Sequence, residues 1–282
     1  MPIFFCTLSG CLWTEQVEHT SFMKRFQDKT ITPDHALIEV AIIERPLGDD
    51  YLNEKIWQNT DELIVDLDCR SVLDQNGFRI GQLVGALPGG FQDLLLSKRC
   101  NSNPQALIFP AGKTVPIYLG SILPHSAYEI VQGNERKEVS LDQARYCLNV
   151  TAKFLGDGRT KLTFTPKVEN GEASLPFHAV PERSTWEVSI EKPCKKYPEL
   201  SWDVTLGPNQ YFVVGARLER ERTLGQTAFT DSGVQRLLVI RNCRSLTANE
   251  AHGSSVEDLV RADKMPPLAL QATIPVSRAK TH

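Results

Sequence analysis

The clearest pattern in the chain is an alternation of apolar and polar residues that begins at Cys147. Over residues 148–154, leucine, valine, alanine and phenylalanine are separated by asparagine, threonine and lysine. Successive side chains of a strand point to opposite faces, so this run predicts one face in a core and the other in water. The turn Gly156-Asp157-Gly158 leads into a second alternating run at residues 162–165, which predicts a hairpin.

The alternation continues to Arg241. Residues 186–191 and 202–206 alternate, and Gly207-Pro208-Asn209 predicts a reversal into residues 211–215 and a second hairpin. The apolar run Val234 to Ile240 is typical of a central strand. We therefore interpret residues 147–241 as a compact antiparallel β module, built for binding or assembly rather than for catalysis.

The first half of the chain has a mixed pattern. Residues 36–44 are apolar and β-branched, which predicts a buried strand that Pro46 stops. Spaced leucines predict a helix over Asp66 to Gln75, with Gly77 after its end. Further predicted elements are a strand at Ile80 to Val84, a helix that starts after Pro88-Gly89-Gly90 and carries Phe91, strands at 106–109, 115–119 and 128–131, and a short helix at Ser140 to Arg145.

These elements predict an α+β fold in which a mixed first half precedes an antiparallel β-rich module. The predicted segments are a truncated signal and linker at residues 1–20, an α+β segment at 35–104, a β-rich module at 105–243 and a disordered tail at 244–282. The tail is assigned from its serine, threonine, alanine, aspartate and proline content without sustained periodicity.

Composition narrows the classes of function. The chain has 282 residues, 41% hydrophobic content and a formal charge of -3, so it can bury a core without metal or disulfides. A pI near 6.1 argues against a nucleic-acid partner, which needs a basic surface. No run approaches the ~18 apolar residues of a membrane-spanning helix.

The motifs in the sequence predict no catalytic, cofactor-binding or metal site. The seven cysteines form no CxxC pair and the six histidines form no HxxxH pair. Gly112-Lys113-Thr114 lacks the upstream glycine and the following helix of a phosphate loop. The acidic pairs Asp49-Asp50 and Asp66/Asp68 are interpreted as structural, and residues 217–222, with alternating arginine and glutamate, as an edge or hairpin tip kept soluble by charge.

A candidate modification site lies near the start. Leu8-Ser9-Gly10-Cys11 resembles a bacterial lipobox, in which cleavage before the cysteine leaves a thiol that carries lipid. No Lys or Arg precedes Cys11 and the apolar stretch is short for an export signal, a defect that a start codon upstream of Met1 would repair. The alternative is that residues 2–8 form an edge strand or a disordered end.

Three patches resemble the secretin domain, the outer-membrane gate module of bacterial secretion systems. They are the strand at residues 36–44, the run Leu162-Thr-Phe-Thr-Pro166-Lys-Val-Glu-Asn-Gly171, and the run Leu206-Gly-Pro-Asn-Gln-Tyr-Phe-Val-Val-Gly215. Ala216 follows Gly215 where that family usually has a second glycine. The resemblance implies a related fold and ring or sheet assembly.

The sequence thus predicts a non-enzymatic protein of the bacterial cell envelope, anchored through Cys11 at the periplasmic face of the outer membrane. Its expected partners are other envelope proteins or a second copy of itself, joined through exposed strand edges and hairpin tips. No cofactor is expected. The alternative is a soluble cytoplasmic enzyme or small-molecule-binding domain, whose site would gather perturbed carboxylates or histidines in a pocket.

Overall fold

The computed structural model of the chain describes residues 34–246, apart from residues 134, 156, 173–176, 181–184 and 189–191, and gives only the backbone of residues 103, 177–180 and 185–188. The lipobox at Cys11, the predicted linker and residues 247–282 of the predicted tail lie outside the described residues.

Strands form most of the described chain. They are β1 His35–Pro46, β2 Thr60–Asp61, β3 Phe78–Leu83, β4 Asn101–Pro110, β5 Thr114–Tyr118, β6 Leu123–Gln132, β7 Glu135–Phe154, β8 Thr160–Glu169, β9 Phe177–Val180, β10 Thr185–Val188, β11 Cys194–Lys196, β12 Trp202–Leu206, β13 Gln210–Ala216, β14 Thr230–Asp231 and β15 Val234–Leu246. All strand pairs that the named strands form are antiparallel.

Helices are short. They are α1 Leu67–Gln75, α2 Phe91–Leu96 and α3 Leu224–Phe229, together with a π-turn at Tyr51–Lys55 and 3₁₀ turns at Trp57–Asn59 and Pro198–Leu200. The predicted α+β class is therefore confirmed only in its β-rich part, since helix contributes little. None of these helices has the length and apolar character needed to cross a membrane.

The strands form two principal sheets. In the first sheet the order is β2-β3-β13-β15-β1-β4, with β14 beside β15. In the second sheet β7 and β8 are central, β5 and β6 pair with β7, and β11 and β12 pair with β8. Strands β9 and β10 pair only with each other among the described residues.

The main core lies between the two sheets. Alternate residues of β1, from Ala36 to Ile42, share one apolar cluster with Phe212 of the first sheet and with Leu148 and Phe164 of the second. The opposite face of β1 packs through Ala41 and Ile43 against the helical segments, in a second cluster that contains Leu52, Ile56, Trp57, Phe91 and Leu95. The first sheet is thus buried on both faces, which explains why β1 is apolar throughout rather than alternating.

The predicted segments share this core. Strand β4 crosses the predicted boundary at residues 104 and 105, and β3 pairs with β13 from the later segment. Strand β15 continues three residues beyond the predicted end of the β-rich module, through Leu246. The alternating runs at residues 148–154, 162–165 and 202–206 are strands of the second sheet, residues 211–215 and 234–240 are strands of the first, and residues 186–188 belong to β10, which pairs with β9.

The predicted second hairpin was wrong. Strand β12 pairs with β8, whereas β13 pairs with β15 and β3, so residues 207–209 carry the chain from one sheet to the other. Buried Asn242 stabilises this crossover, because its amide donates to the carbonyls of Leu206 (3.1 Å) and Gly207 (3.2 Å). Sequence alternation contains no information about which sheet a strand joins.

The predicted helix at Ser140 to Arg145 was also wrong. These residues belong to β7, which pairs with β6 over residues 135–144 and with β5 and β8 beyond that. Gln143 has a φ of 51°, and beyond Ala144 the partner of β7 changes from β6 to β5, with a change of two residues in register before Cys147. Asp142 and Gln143 are both exposed, so the alternation breaks there, which concealed the strand in the sequence.

A buried ion pair joins the two central strands of the first sheet. Glu39 and Arg241 lie directly opposite each other in the register of β1 with β15, and both side chains have 0% exposure. Glu39 Oε2 accepts from Arg241 Nε (2.9 Å) and lies 2.8 Å from Nη2, and Arg241 Nη1 donates to Asn209 Oδ1 (3.2 Å).

Replacing Glu39 by leucine should destabilise the fold strongly, because Arg241 would remain buried without its carboxylate partner. We expect the free energy of unfolding in urea to fall by about 3–5 kcal/mol. The double variant Glu39→Leu/Arg241→Met should regain most of that loss, since no buried charge remains. Lys161→Met, which removes an exposed pair with Asp203, serves as the control and should cost less than about 1 kcal/mol. A loss for Glu39→Leu no larger than this control would contradict the assignment.

Candidate functional site

Among the described residues, no group of three or more His, Cys, Asp or Glu side chains is arranged to hold a metal ion. His125 Nδ1 lies 2.7 Å from Asp142 Oδ1 at the surface, far from the His35–Asp34 pair. The run Gly112-Lys113-Thr114 leads into a strand, because Thr114 begins β5. It is therefore not followed by the helix of a phosphate loop, as predicted.

The acidic residues singled out in the sequence have structural roles. Asp66 caps α1, where its Oδ1 accepts from the Cys69 N–H (2.8 Å), which confirms the helix-start interpretation. Asp49 pairs with Arg45 (2.7 Å). Asp157 accepts from the Arg159 backbone N–H (3.1 Å) within its turn.

The interpretation of residues 217–222 as a solvated tip was wrong for its first arginine. Arg217 donates to Glu62 (2.8 Å) and also lies 2.8 Å from Asp74, which pairs in addition with Arg220 (2.9 Å). Glu62 also accepts from Arg79 (2.6 Å). This network joins the loop after β13 to α1 and β3, so it stabilises the fold, whereas residues 219–222 are exposed as expected of a tip.

Strand edges are the predicted binding surface, and several are unsuitable for pairing. Strand β2 has two residues, and β11 has three, two of them exposed lysines. Pro116 sits in the middle of β5, where it supplies no N–H. Strand β4 contains Pro104 and Pro110. Short strands, lysines and prolines are the usual means of protecting an edge.

One edge of β7 differs from these. Strand β7 has 20 residues, and β8 pairs with it only from Arg145 onward, so its first half extends past β8. There β6 and β7 form a two-stranded ribbon. No described strand pairs with the side of residues 136–140 that faces away from β6. We call residues 136–140 on that side the β7 edge.

The hydrogen-bond pattern shows which backbone groups the β7 edge presents. On β6 the N–H groups of Glu129 and Val131 donate away from β7, to Arg222 O (2.6 Å) and Asn76 Oδ1 (2.9 Å). The even-numbered residues of β6 therefore bond to the odd-numbered residues of β7 that lie opposite them. It follows that Arg136, Glu138 and Ser140 point their N–H and C=O groups outward.

The ribbon is anchored from beneath by buried hydroxyl groups. Tyr128 and Tyr197 are 2.6 Å apart at their oxygens, and so are Ser126 and Tyr146. Burial raises the pKa of Tyr146 to about 12, although its hydrogen bond with Ser126 opposes the shift. Val139 and Leu141 of β7 pack into the main core. The β7 edge is therefore held rigidly in an extended conformation rather than as a mobile loop.

The β7 edge carries charges of both signs. Arg136, Lys137 and Glu138 are exposed, as is Glu135 just before the edge, and these four charges sum to zero. Arg136 lies 3.3 Å from Glu129, and Glu138 lies 2.7 Å from Arg222. The sequence predicted a helix beginning at Ser140, so this edge was missed; the run of four charged residues after a glycine turn was its only signal.

Comparison with known proteins gives limited information: no family model matches the chain, and no curated protein matches it. Among solved structures, it is similar to the InvG secretin domain β-barrel of the Salmonella SPI-1 injectisome, with 10% identity, 88% of this chain and 76% of that chain covered, and a TM-score of 0.21. A second structure of InvG gives 10% identity, 88% and 75% coverage and a TM-score of 0.23. TM-scores of this size do not establish a common fold, so function is argued from this chain's own geometry.

The thiols of Cys147 on β7 and Cys194 on β11 should react at very different rates with an alkylating agent. Cys147 on β7 is 1% exposed and burial raises its pKa to about 12, so only about one molecule in ten thousand carries its thiolate at pH 8. Cys194 is exposed. With iodoacetamide at pH 8 and peptide mapping, Cys194 should react quickly in the native protein and Cys147 only after addition of urea. Equal rates in the native protein would contradict the placement of β7.

Proposed function

We propose that this chain is a non-enzymatic component of a bacterial envelope assembly that associates with a second copy of itself through the β7 edge. The single observation that supports this most directly is the outward row of backbone groups at Arg136, Glu138 and Ser140, which has no partner among the described residues. A strand edge of this kind can be completed by a strand from another chain. Among the described residues no His, Cys, Asp or Glu cluster could hold a metal ion, which favours this class over a metalloenzyme.

The charge sequence of the β7 edge supports a second copy as the partner. In an antiparallel arrangement centred on residue 137 of each chain, Arg136 lies opposite Glu138 of the other copy, and the same pair recurs on the far side of the two-fold axis. The two Lys137 side chains meet at that axis. Lys195, Lys196 and Glu199 line the same cleft as Lys137, so the Arg136–Glu138 pairs on either side must outweigh the repulsion at the axis.

Proline at position 138 should prevent this pairing without disturbing the ribbon. Glu138→Pro removes an outward N–H from each copy, whereas the inward bonds of residues 137 and 139 to β6 remain. By size-exclusion chromatography with light scattering, the natural chain should elute at twice its 31.5 kDa mass, and Glu138→Pro at that mass.

The matched control is Glu138→Ala, which loses the same carboxylate but keeps the N–H. It should remain dimeric, with affinity reduced by less than about tenfold, because exposed ion pairs contribute less than about 1 kcal/mol. A natural chain that stays monomeric at high concentration, or a Glu138→Pro variant that still dimerises, would contradict the proposal.

The envelope location is proposed from Leu8-Ser9-Gly10-Cys11 and its lipobox pattern. In a Gram-negative host fed labelled palmitate, the full chain should carry the label and sediment with membranes. Cys11→Ser should lose both properties, and the control Cys6→Ser should retain them, because only Cys11 occupies the lipidation position. Label that persists in Cys11→Ser, or that is absent from every variant, would exclude the anchor.

A further inference from the structure

A basic cleft lies on the outer face of the second sheet, where β5, β7, β8 and β11 run side by side. In the strand registers Tyr118 is opposite Cys147, Cys147 is opposite Lys167, and Lys167 is opposite Lys196. The next row places Arg145 opposite Glu169. The cleft has a volume of about 530 Å³, and Lys192 also lines it.

Positive charge predominates in the basic cleft. Arg145, Lys167, Lys192 and Lys196 contribute four cations against the single carboxylate of Glu169, within a chain whose formal charge is -3. Glu169 is already engaged, because Lys167 Nζ donates to its Oε1 (2.7 Å) and the Tyr118 hydroxyl lies 3.3 Å from the same atom. Three cations therefore face the cleft without a counter-charge among the residues that line it.

Two contacts fix the orientation of the Arg145 side chain. Its guanidinium carbon lies 3.7 Å from the centre of the Tyr118 ring, and its Nε lies 3.4 Å from the carbonyl oxygen of Gly120. Stacking fixes the plane of the guanidinium and leaves its two terminal nitrogens for a planar, two-point contact. An arginine fixed in this way is suited to an oxyanion and binds it with less loss of side-chain entropy than a mobile lysine.

The remaining groups keep the basic cleft cationic at neutral pH. Although burial opposes its charge, the hydrogen bond with Glu169 raises the pKa of Lys167, so its ammonium stays protonated. The Cys147 thiol, which lies beneath, stays neutral because burial raises its pKa to about 12. Among the described residues that line the cleft, Glu169 is the one carboxylate.

We propose that the basic cleft binds a phosphate group, with Arg145 as its principal contact and Lys196 and Lys192 as neighbouring cations. The phosphate could come from a soluble phosphate-bearing ligand or from the headgroup of an anionic phospholipid, since both present the same oxygens. Arg145 lies on the same strand as the β7 edge, and Lys196 also lines the cleft of Lys137, but the contacts that hold Arg145 do not involve residues 136–140.

Titration calorimetry with inorganic phosphate tests the site on the full chain. The natural chain should bind saturably, and Arg145→Gln should weaken binding at least tenfold. Lys196→Gln, an exposed position that does not threaten folding, should weaken it at least threefold. The control Lys153→Gln removes the same charge from the same face of β7 outside the cleft and should bind like the natural chain.

A flotation assay separates the two sources of phosphate. Binding to phosphatidylglycerol vesicles but not to phosphatidylcholine vesicles, lost in Lys196→Gln and kept in Lys153→Gln, would assign a lipid headgroup. Saturable binding of inorganic phosphate alone, with the same variant pattern, would assign a soluble ligand. The proposal is overturned if the natural chain binds neither, or if Lys153→Gln loses as much affinity as Lys196→Gln.

Discussion

The pairing of β1 with β15 is the constraint on which the rest of the fold depends. It joins the first and last described strands over the whole length of β1, from His35 opposite Leu246 to Pro46 opposite Val234. At its centre Glu39 meets Arg241 with both side chains buried. A shift of register by one residue would separate this pair and turn the apolar faces of both strands, so the ion pair selects one alignment. The second sheet then packs on one face of the first sheet, and the helical segments pack on the other.

The candidate function follows from a mismatch in strand length. Strand β8 stops at Glu169, but β7 begins ten residues before the point at which the two strands pair. The buried hydroxyl pairs and the amide of Asn76 hold the projecting ribbon against the rest of the molecule, since Asn76 bonds both backbone groups of Val131. The outer N–H groups of Glu129 and Val131 on β6 are thereby bonded, whereas the outer side of residues 136–140 on β7 has no strand partner among the described residues. The second sheet thus carries both the β7 edge and, on its outer face, the basic cleft.

The sequence predicted local structure well and long-range structure poorly. The β7–β8 hairpin, strand β1 and helix α1 with its Asp66 cap follow from alternation, apolar runs and capping, all of which act over a few residues. The crossover at residues 207–209 and the Glu39–Arg241 pair join positions far apart in the chain, where no local pattern records them. The β7 edge was concealed because the alternation breaks at Gln143, where φ is positive, and the basic cleft arises from four strands that meet only in the folded sheet.

Hydrogen exchange at single amides along β7 tests the central claim most directly. In dilute monomer the N–H groups of Arg136, Glu138 and Ser140 should exchange rapidly, while those of Lys137 and Val139 are protected by their bonds to β6. At concentrations at which the chain associates, all five should become protected. Protection of Arg136, Glu138 and Ser140 in the monomer, or their continued rapid exchange in the associated protein, would contradict assembly through this edge.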